Sequence, residues 1–210
     1  MVKKFTDIML KAYYDRSVTG RMGLHRSDAI SCPLRAYWRI TKKIEGIYNS
    51  TDVGILLLGE LAHIALHKNF DAQEKQFTIG DYLHVTVDAI FGDFPIETKT
   101  TRKKVYRRED LPQAWLEQLA IAMSVMKVNK GYLMVLNIIS FNVSVWELEM
   151  CEEERTMFMN NCIWQILSIL DAIQKEKPEL LTPKVDECEY CPYRPMKVRT
   201  GCQFYVKPAK

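Results

Sequence analysis

Two carboxylates and a lysine fall within twelve positions near the middle of the sequence. Asp88 lies in the segment 82–89, where even positions are polar and odd positions are apolar. That alternation predicts a β-strand with one buried face. Glu97 and Lys99 are two residues apart in the next predicted strand, so they share a face. If Gly92-Asp93 forms a two-residue hairpin loop, Asp88 lies directly opposite Glu97.

Such a pair of carboxylates has a specific chemical use. Carboxylates opposite each other on a sheet lie about 5 Å apart at Cβ and repel each other. A divalent cation between them turns this repulsion into binding, and oxygen ligands suit Mg²⁺ or Mn²⁺. With Lys99 orienting or deprotonating a water, the chemistry is phosphodiester hydrolysis. The alternative is a solvated strand face on which Glu97 and Lys99 form an ordinary ion pair.

Histidines precede this sheet on a predicted helix over residues 53–68. His63 could supply an imidazole to the same cation. His63 and His67 are four residues apart, which is also a spacing for two zinc ligands, although no third ligand suggests itself. The alternative is a histidine that packs without any ligand.

The six cysteines are unevenly spaced. Cys188 and Cys191 form a C-x-x-C pair, Cys202 follows eleven positions later, and Cys32 stands alone near the start. In a reducing compartment these thiols are not expected to form disulfides. The spacing therefore favours a metal or cluster site, and the alternative for the three distal cysteines is buried thiols that bind no metal.

A basic stretch follows the strand that carries Glu97 and Lys99. It contains Arg102, Lys103, Lys104, Tyr106, Arg107 and Arg108. Cationic groups there would neutralise phosphates, and the tyrosine could stack on a base of a single strand. The alternative is a mobile, solvated loop. A second, weaker basic group is made of Arg16, Arg21, His25 and Arg26.

Composition and periodicity predict one mixed α/β domain. The chain has 210 residues, of which 48% are hydrophobic and 26% charged, with a net charge of +3. This is ordinary globular usage, excludes a disordered chain, and allows a nucleic-acid partner. Predicted helices cover 3–16, 27–40 (capped by Ser27), 53–68, 112–128 and 152–175. Predicted strands cover 76–79, 82–91, 94–100, 132–139 and 143–149.

Nothing in the pattern suggests a membrane segment or a secretory signal. The longest apolar runs are far too short to span a bilayer. The first residues include an acid, Asp7, and lack a long apolar core. We therefore expect no membrane association and a cytoplasmic location.

Taken in order, these residues resemble a known family. Gly59, His63, Asp88, Glu97-Thr98-Lys99 and Gln118 resemble the RecB-type branch of the PD-(D/E)xK nucleases. The segment 32–37, Cys-Pro-Leu-Arg-Ala-Tyr, resembles the C-P-x-R-x-Y segment of that branch, and the three distal cysteines resemble those of its iron–sulfur members. Size and layout are similar to the exonuclease family of the fourth CRISPR-associated protein and to its archaeal viral relatives. The resemblance covers roughly residues 24–205.

The resemblance implies a fold and a set of ligands. The fold is a restriction-endonuclease-like mixed central sheet flanked by helices, with an iron–sulfur-clamped helical side. A single domain would cover 1–210, with 1–50 and 176–210 joining at the cluster module. The implied iron–sulfur ligands are Cys32, Cys188, Cys191 and Cys202, holding [4Fe–4S], with [2Fe–2S] or zinc as the alternatives that spacing leaves open. Because the cluster closes so long a loop, we expect its role to be structural.

The resemblance also implies roles in catalysis. His63, Asp88, Glu97 and the Thr98 carbonyl would bind Mg²⁺ or Mn²⁺, Lys99 would be the catalytic lysine, and Gln118 would support the site. One departure is Ala122, where the family often has a tyrosine.

The implied activity is metal-dependent exonucleolytic cleavage of single-stranded DNA, in the 5′ to 3′ direction. It would trim DNA for CRISPR spacer acquisition, with the CRISPR integrase complex as a partner. The alternatives are a viral or repair nuclease outside CRISPR, or a non-catalytic zinc or iron–sulfur nucleic-acid-binding protein.

Overall fold

The structure is a computed structural model that describes residues 23–43, 50–68, 70, 72–195 and 201–205. The predicted helix over 3–16, together with Arg16 and Arg21, lies outside these residues. So do parts of the 1–50 and 176–210 segments expected to meet at the cluster module.

A six-stranded mixed sheet forms the centre of the described fold. Its strands are β1 (Leu24–His25), β2 (Ala72–Ile79), β3 (Leu83–Phe91), β4 (Phe94–Thr101), β5 (Lys130–Asn137) and β6 (Val143–Glu149). The order is β1-β3-β4-β5-β6, with β2 also paired to β3. The β1–β3 and β4–β5 pairs are parallel and the others antiparallel. The expected mixed α/β class is therefore confirmed.

Helices flank this sheet. They are α1 (Arg26–Ile30), α2 (Pro33–Thr41), α3 (Ser50–His67), α4 (Gln113–Met126) and α5 (Glu152–Gln174), with 3₁₀ turns at Arg108–Asp110, Pro178–Leu180 and Val185–Tyr190. Strand β2 begins four residues before the predicted start. The predicted elements from 82 onward begin and end within two residues of those observed.

The prediction of one helix over 27–40 is wrong. The chain forms α1 and α2 instead, with a break at Ser31 and Cys32. Pro33 is the first residue of α2, and a proline disfavours helical backbone at the residue before it. Helix α1 is capped by His25 rather than Ser27, because the His25 backbone N–H donates to Asp28. The break places Cys32 between two helices.

Helices cover both faces of the sheet. Leu133 of β5 packs in a cluster with Leu119 of α4, whereas the next residue, Met134, packs in a cluster with Leu66 of α3. Since successive side chains of a strand point to opposite faces, α4 and α3 lie on opposite sides. On β3 the apolar positions Leu83, Val85 and Val87 are fully buried. The predicted alternation of that strand is confirmed.

Candidate active site

The site lies where β3 and β4 separate. The β3–β4 hairpin has the expected register, running from Phe91 opposite Phe94 to Ala89 opposite Ile96. Beyond that pair the ladder stops, and the Asp88 carboxylate accepts a hydrogen bond of 2.8 Å from the Thr98 backbone N–H.

Among the described strands, one edge of β3 is unpaired over the middle of the strand, which is where β3 and β4 separate. Strand β2 pairs with β3 along residues 83–90 and so occupies one edge. On the other edge, the described strands pair only near the two ends, β1 at residues 83–84 and β4 at residues 89–91. The stretch between these pairings faces a cleft.

Glu97 is the most buried acid of the cleft. It is 1% exposed, and its two oxygens contact Lys99 Nζ at 2.5 Å and an Arg26 guanidinium nitrogen at 2.9 Å. Burial alone would raise the pKa of Glu97, but the charges of Arg26 and then Lys99 outweigh burial and hold that pKa below its usual value. Glu97 is therefore ionised and neutralised by two cations.

Gln118 binds the same two cations from α4. Its side-chain oxygen accepts a hydrogen bond from Lys99 Nζ, and its backbone carbonyl accepts one of 2.7 Å from Arg26. Lys99 is thus held between Glu97 and Gln118, so its ammonium group has a defined position at the cleft.

Asp88 has the opposite electrostatic environment. Burial, and then the negative charge of Glu97, raise the pKa of Asp88 to about 6. The two carboxylates therefore interact electrostatically and line the same cleft. A shared cleft is what the hypothesis of a bridging cation needs.

Helix α3, which lies on the side of the sheet opposite α4, contributes two histidines. His63 Nε2 donates to the Thr98 carbonyl at 3.1 Å, and its Nδ1 lies 3.9 Å from the Asp88 carboxylate. His67 Nε2 lies 2.6 Å from the Thr98 hydroxyl. Burial and the neighbouring His63 lower the pKa of His67 to about 4, so His67 is neutral at pH 7. Of these two histidines of α3, His63 lines the cleft, and His67 packs behind it.

The cleft brings the sequence-predicted residues together. Its lining includes His63, Asp88, Glu97, Lys99 and Gln118, together with His25, Arg26, Ser27, Glu74, Gln76, His84 and Thr86. The Thr98 carbonyl lies beside it and is bound by His63.

Arg26, one of the four residues of the second, weaker basic group, does not lie on an exposed basic surface. The side chain is 7% exposed and reaches Glu97. It comes directly after the two-residue strand β1, a strand too short to leave a periodic signal in the sequence. Sequence reasoning therefore missed Arg26 as a residue of the site.

The donor set fits a divalent cation of the Mg²⁺ or Mn²⁺ type. Within the described ranges, no three His, Cys, Asp or Glu side chains already converge as a formed metal site. Burial and the charge of Glu97 raise the pKa of Asp88 despite the nearby positive groups, so a further cation in the cleft would favour its ionised form. Asp88, Glu97 and His63 would hold such a cation, with the Thr98 carbonyl oxygen as a further hard ligand.

Four cysteines line a second cavity, although within the described ranges no three of them already converge as a formed metal site. Cys32, Cys188, Cys191 and Cys202 all line it. All six cysteines lie in the described part of the chain, and none forms a disulfide. Burial, as the first cause, raises the pKa of Cys191 to about 11, and Cys32 and Cys202 raise it further by their charge. Cys191 is thus close enough to Cys32 and Cys202 to interact with both electrostatically.

The surroundings of this cavity suit a cluster that carries negative charge. Besides apolar and aromatic side chains, its lining includes three cations, Arg35, Lys184 and Arg194, and one acid, Glu187. Thiols with raised pKa values are neutral at pH 7 and become thiolate ligands when a metal replaces the proton. The donor set fits iron–sulfur or zinc chemistry equally well.

The tail, described over residues 176–195 and 201–205, also binds the chain around Cys32 by polar bonds. Lys184 Nζ donates to the Ile30 carbonyl at the end of α1. The Cys32 backbone N–H donates to the Glu187 carboxylate at 3.0 Å. These contacts join α1, α2 and the tail at the cavity.

The basic loop is exposed. Tyr106 is 69% exposed, and the five basic residues Arg102, Lys103, Lys104, Arg107 and Arg108 are exposed as well. Its backbone is tied down, because the Lys103 carbonyl accepts from Asn137 and the Asp110 carboxylate accepts from the N–H groups of Tyr106 and Arg107. None of these basic side chains lines the cleft described above.

Ala122, where the family often has a tyrosine, is buried against Val87 and Ile90 of β3. A tyrosine would not fit this contact without displacing the strand. The described part of α4 therefore offers Gln118 to the site, and nothing from position 122.

Comparison with known proteins gives the fold. No protein-family model and no curated protein matches this chain. The mixed α/β architecture is shared with a solved structure, the crystal structure of SSO0001. The two align with a TM-score of 0.54 and 19% identity over 91% of this chain and 93% of that one. At this identity the similarity concerns the fold alone.

The helices do not suggest a bilayer span. Across the described ranges, none combines the length and apolar character needed to cross a membrane.

Proposed function

We propose that this protein is a metal-dependent nuclease that hydrolyses phosphodiester bonds of single-stranded DNA. One observation carries the proposal. Asp88, Glu97, Lys99, His63 and Gln118, which the resemblance to RecB-type nucleases picks out, all line one cleft although they come from two strands and two helices. A solvated strand face would have no reason to gather them there.

Each side chain has a role that its geometry supports. A divalent cation, when bound, supplies Lewis acidity toward a phosphoryl oxygen and lowers the pKa of a water. Asp88 and Glu97 supply the negative charge that holds it. Lys99, fixed by Glu97 and Gln118, places an ammonium group beside the reacting phosphate and orients the water. His63 fixes the Thr98 carbonyl and faces Asp88.

The direct test is degradation of end-labelled single-stranded DNA with Mn²⁺ and with EDTA. We expect degradation with Mn²⁺ only, and a loss of about 10²-fold or more in Glu97→Gln and Lys99→Met. The exposed pair Lys130–Glu147 (2.8 Å) offers matched controls, since Lys130→Met and Glu147→Gln remove the same groups outside the cleft. Wild-type protein that degrades no more DNA with Mn²⁺ than with EDTA would instead support a non-catalytic nucleic-acid-binding protein.

The finer proposals follow from the resemblance. They are exonucleolytic action from the 5′ end and trimming of DNA for CRISPR spacer acquisition, with the CRISPR integrase complex as partner. Strands blocked at the 5′ or the 3′ end decide the polarity, because only an exonuclease is stopped by one block. A viral or repair nuclease would show the same chemistry, so binding to the integrase complex is the assay that separates these roles.

We also propose that the four cysteines hold a structural [4Fe–4S] cluster, with [2Fe–2S] or zinc as alternatives. Support comes from the single cavity that the four thiols line and from its three basic residues. Metal analysis and the visible spectrum of anaerobically purified protein distinguish these ligands. An iron-free, colourless protein with one zinc would exclude the cluster.

A further inference from the structure

Arg26 is an additional charge in the candidate active site. The side chain is 7% exposed, so its guanidinium is almost withdrawn from water. A buried charge of this kind is stable only when paired and hydrogen-bonded. Arg26 meets both needs, with Glu97 at 2.9 Å and the Gln118 carbonyl at 2.7 Å.

This arginine changes the charge balance of the site. Without Arg26, the two negative charges of Asp88 and Glu97 exceed the one positive charge of Lys99. The excess negative charge attracts a divalent cation. With Arg26 the two carboxylates and the two cations balance. One Glu97 oxygen is already bound by Arg26 and the other by Lys99. A cation that binds Glu97 must therefore compete with the guanidinium.

The hydrogen bond to the Gln118 carbonyl holds Arg26 in the position where it competes with a cation for Glu97. An arginine presents its donors in a planar, fixed fork, so contacts to Glu97 and to the Gln118 carbonyl reinforce each other. Helix α4, which carries Gln118, is packed in the core by Leu119 and Ile121. Moving Arg26 away from Glu97 therefore also strains or breaks its bond to a rigid helix.

We propose that Arg26 is a positioning residue that acts as the internal counter-ion of Glu97 and so limits the affinity of the cleft for divalent cations. This inference rests on the proposed function, since it assumes that the cleft binds such a cation. It assigns Arg26 no contact with the reacting phosphate.

The test is Mn²⁺ binding in the absence of DNA, measured from the electron paramagnetic resonance signal of free Mn²⁺ in a titration. Removing one positive charge within a few ångströms in Arg26→Met should tighten binding about tenfold, a change of about 1.4 kcal/mol. Arg26→Lys keeps the charge but cannot span both Glu97 and the Gln118 carbonyl. We expect it to tighten binding by a smaller factor, about threefold.

Arg39→Met is the matched control. Arg39 is also mostly buried and ion-paired, with Asp28 at 2.6 Å, but it lies on α2 and does not line the cleft. Its Mn²⁺ affinity should equal that of the wild type. If Arg26→Met fails to fold, as judged by circular dichroism, Arg26→Lys decides the question.

The outcomes separate this inference from the proposed function. Wild-type affinity in both Arg26 variants, or weaker binding, would show that Arg26 does not compete with the cation, while nuclease activity of the wild type would still support the function. If neither the wild type nor the variants bind Mn²⁺, both proposals fall. Tighter binding in Arg26→Met alone among the methionine variants supports the counter-ion role.

Discussion

Replacing Asp88 by asparagine should stabilise the metal-free protein at neutral pH. In the folded state burial and the charge of Glu97 raise the Asp88 pKa from 3.8 to about 6. Between these two values the folded chain holds a proton that the unfolded chain has released. Stability therefore falls as pH rises through this window, and the cost of ionised Asp88 is complete above pH of about 6.

The magnitude follows from the size of the shift. About two pKa units at 1.36 kcal/mol each correspond to about 3 kcal/mol. Asparagine avoids this cost, and its side-chain oxygen can still accept the hydrogen bond from the Thr98 N–H. The difference in unfolding free energy, Asp88→Asn minus wild type, should therefore rise by about 3 kcal/mol from about pH 4 to about pH 7.

The pH dependence of the wild type alone does not isolate Asp88, because His67 changes stability with pH in the opposite direction. The difference in unfolding free energy between Asp88→Asn and the wild type does isolate it. Its pKa is lowered from 6.5 to about 4 by burial and by His63, so the folded chain binds fewer protons than the unfolded chain in that range. His67 thus makes stability rise with pH and offsets the effect of Asp88 in the wild type. The subtraction removes the His67 contribution, since both proteins contain it.

The assay is urea unfolding in EDTA at a series of pH values, followed by circular dichroism. Asp81→Asn is the control, because Asp81 is exposed in the turn between β2 and β3 and lies outside the cleft. A flat curve for Asp88→Asn would refute the reasoning. So would an increasing loss of stability with pH in that variant.

Three further predictions concern other contacts. His67→Phe should lower the unfolding free energy by about 1–3 kcal/mol, because it leaves the Thr98 hydroxyl without a hydrogen-bond partner. Adding Thr98→Val should recover part of this loss. Strictly additive losses in the double variant would contradict the contact. Cys188→Ser should lose bound iron and visible absorbance relative to the wild type, as metal analysis would show; unchanged iron content would remove Cys188 from the ligand set. Replacing Arg107 and Arg108 together by glutamine should reduce the salt dependence of single-stranded DNA binding by a slope of about 1.4, whereas an unchanged slope would exclude both from phosphate contacts.

Local patterns predicted the part of the site that lies on neighbouring strands. The alternation of residues 82–89 and the Gly92-Asp93 turn were enough to predict the buried face of β3 and the register of the hairpin. Both are set within one hairpin, where side-chain period and loop length determine the pairing. This is why Asp88 and Glu97 could be placed at one cleft from the sequence.

Longer-range features did not follow from such patterns. The prediction that Asp88 pairs directly with Glu97 on the ladder is wrong, because the ladder ends at Ala89 and Ile96 and the Asp88 side chain accepts the Thr98 N–H instead. The insertion of Arg26 depends on β1 pairing in parallel with β3 at a distance of nearly sixty residues. A strand of two residues is too short to produce a periodic pattern in the sequence. An ion pair between residues far apart in the chain produces no such pattern either.

The position of Arg26 connects the two chemical centres of the molecule. Helix α1 has only five residues, a length of about 7.5 Å. Its first residue, Arg26, binds Glu97, while its last, Ile30, accepts a bond from Lys184 of the tail. Helix α1 thus has its first residue bonded in the cleft and its last residue bonded to Lys184, which lines the cysteine cavity.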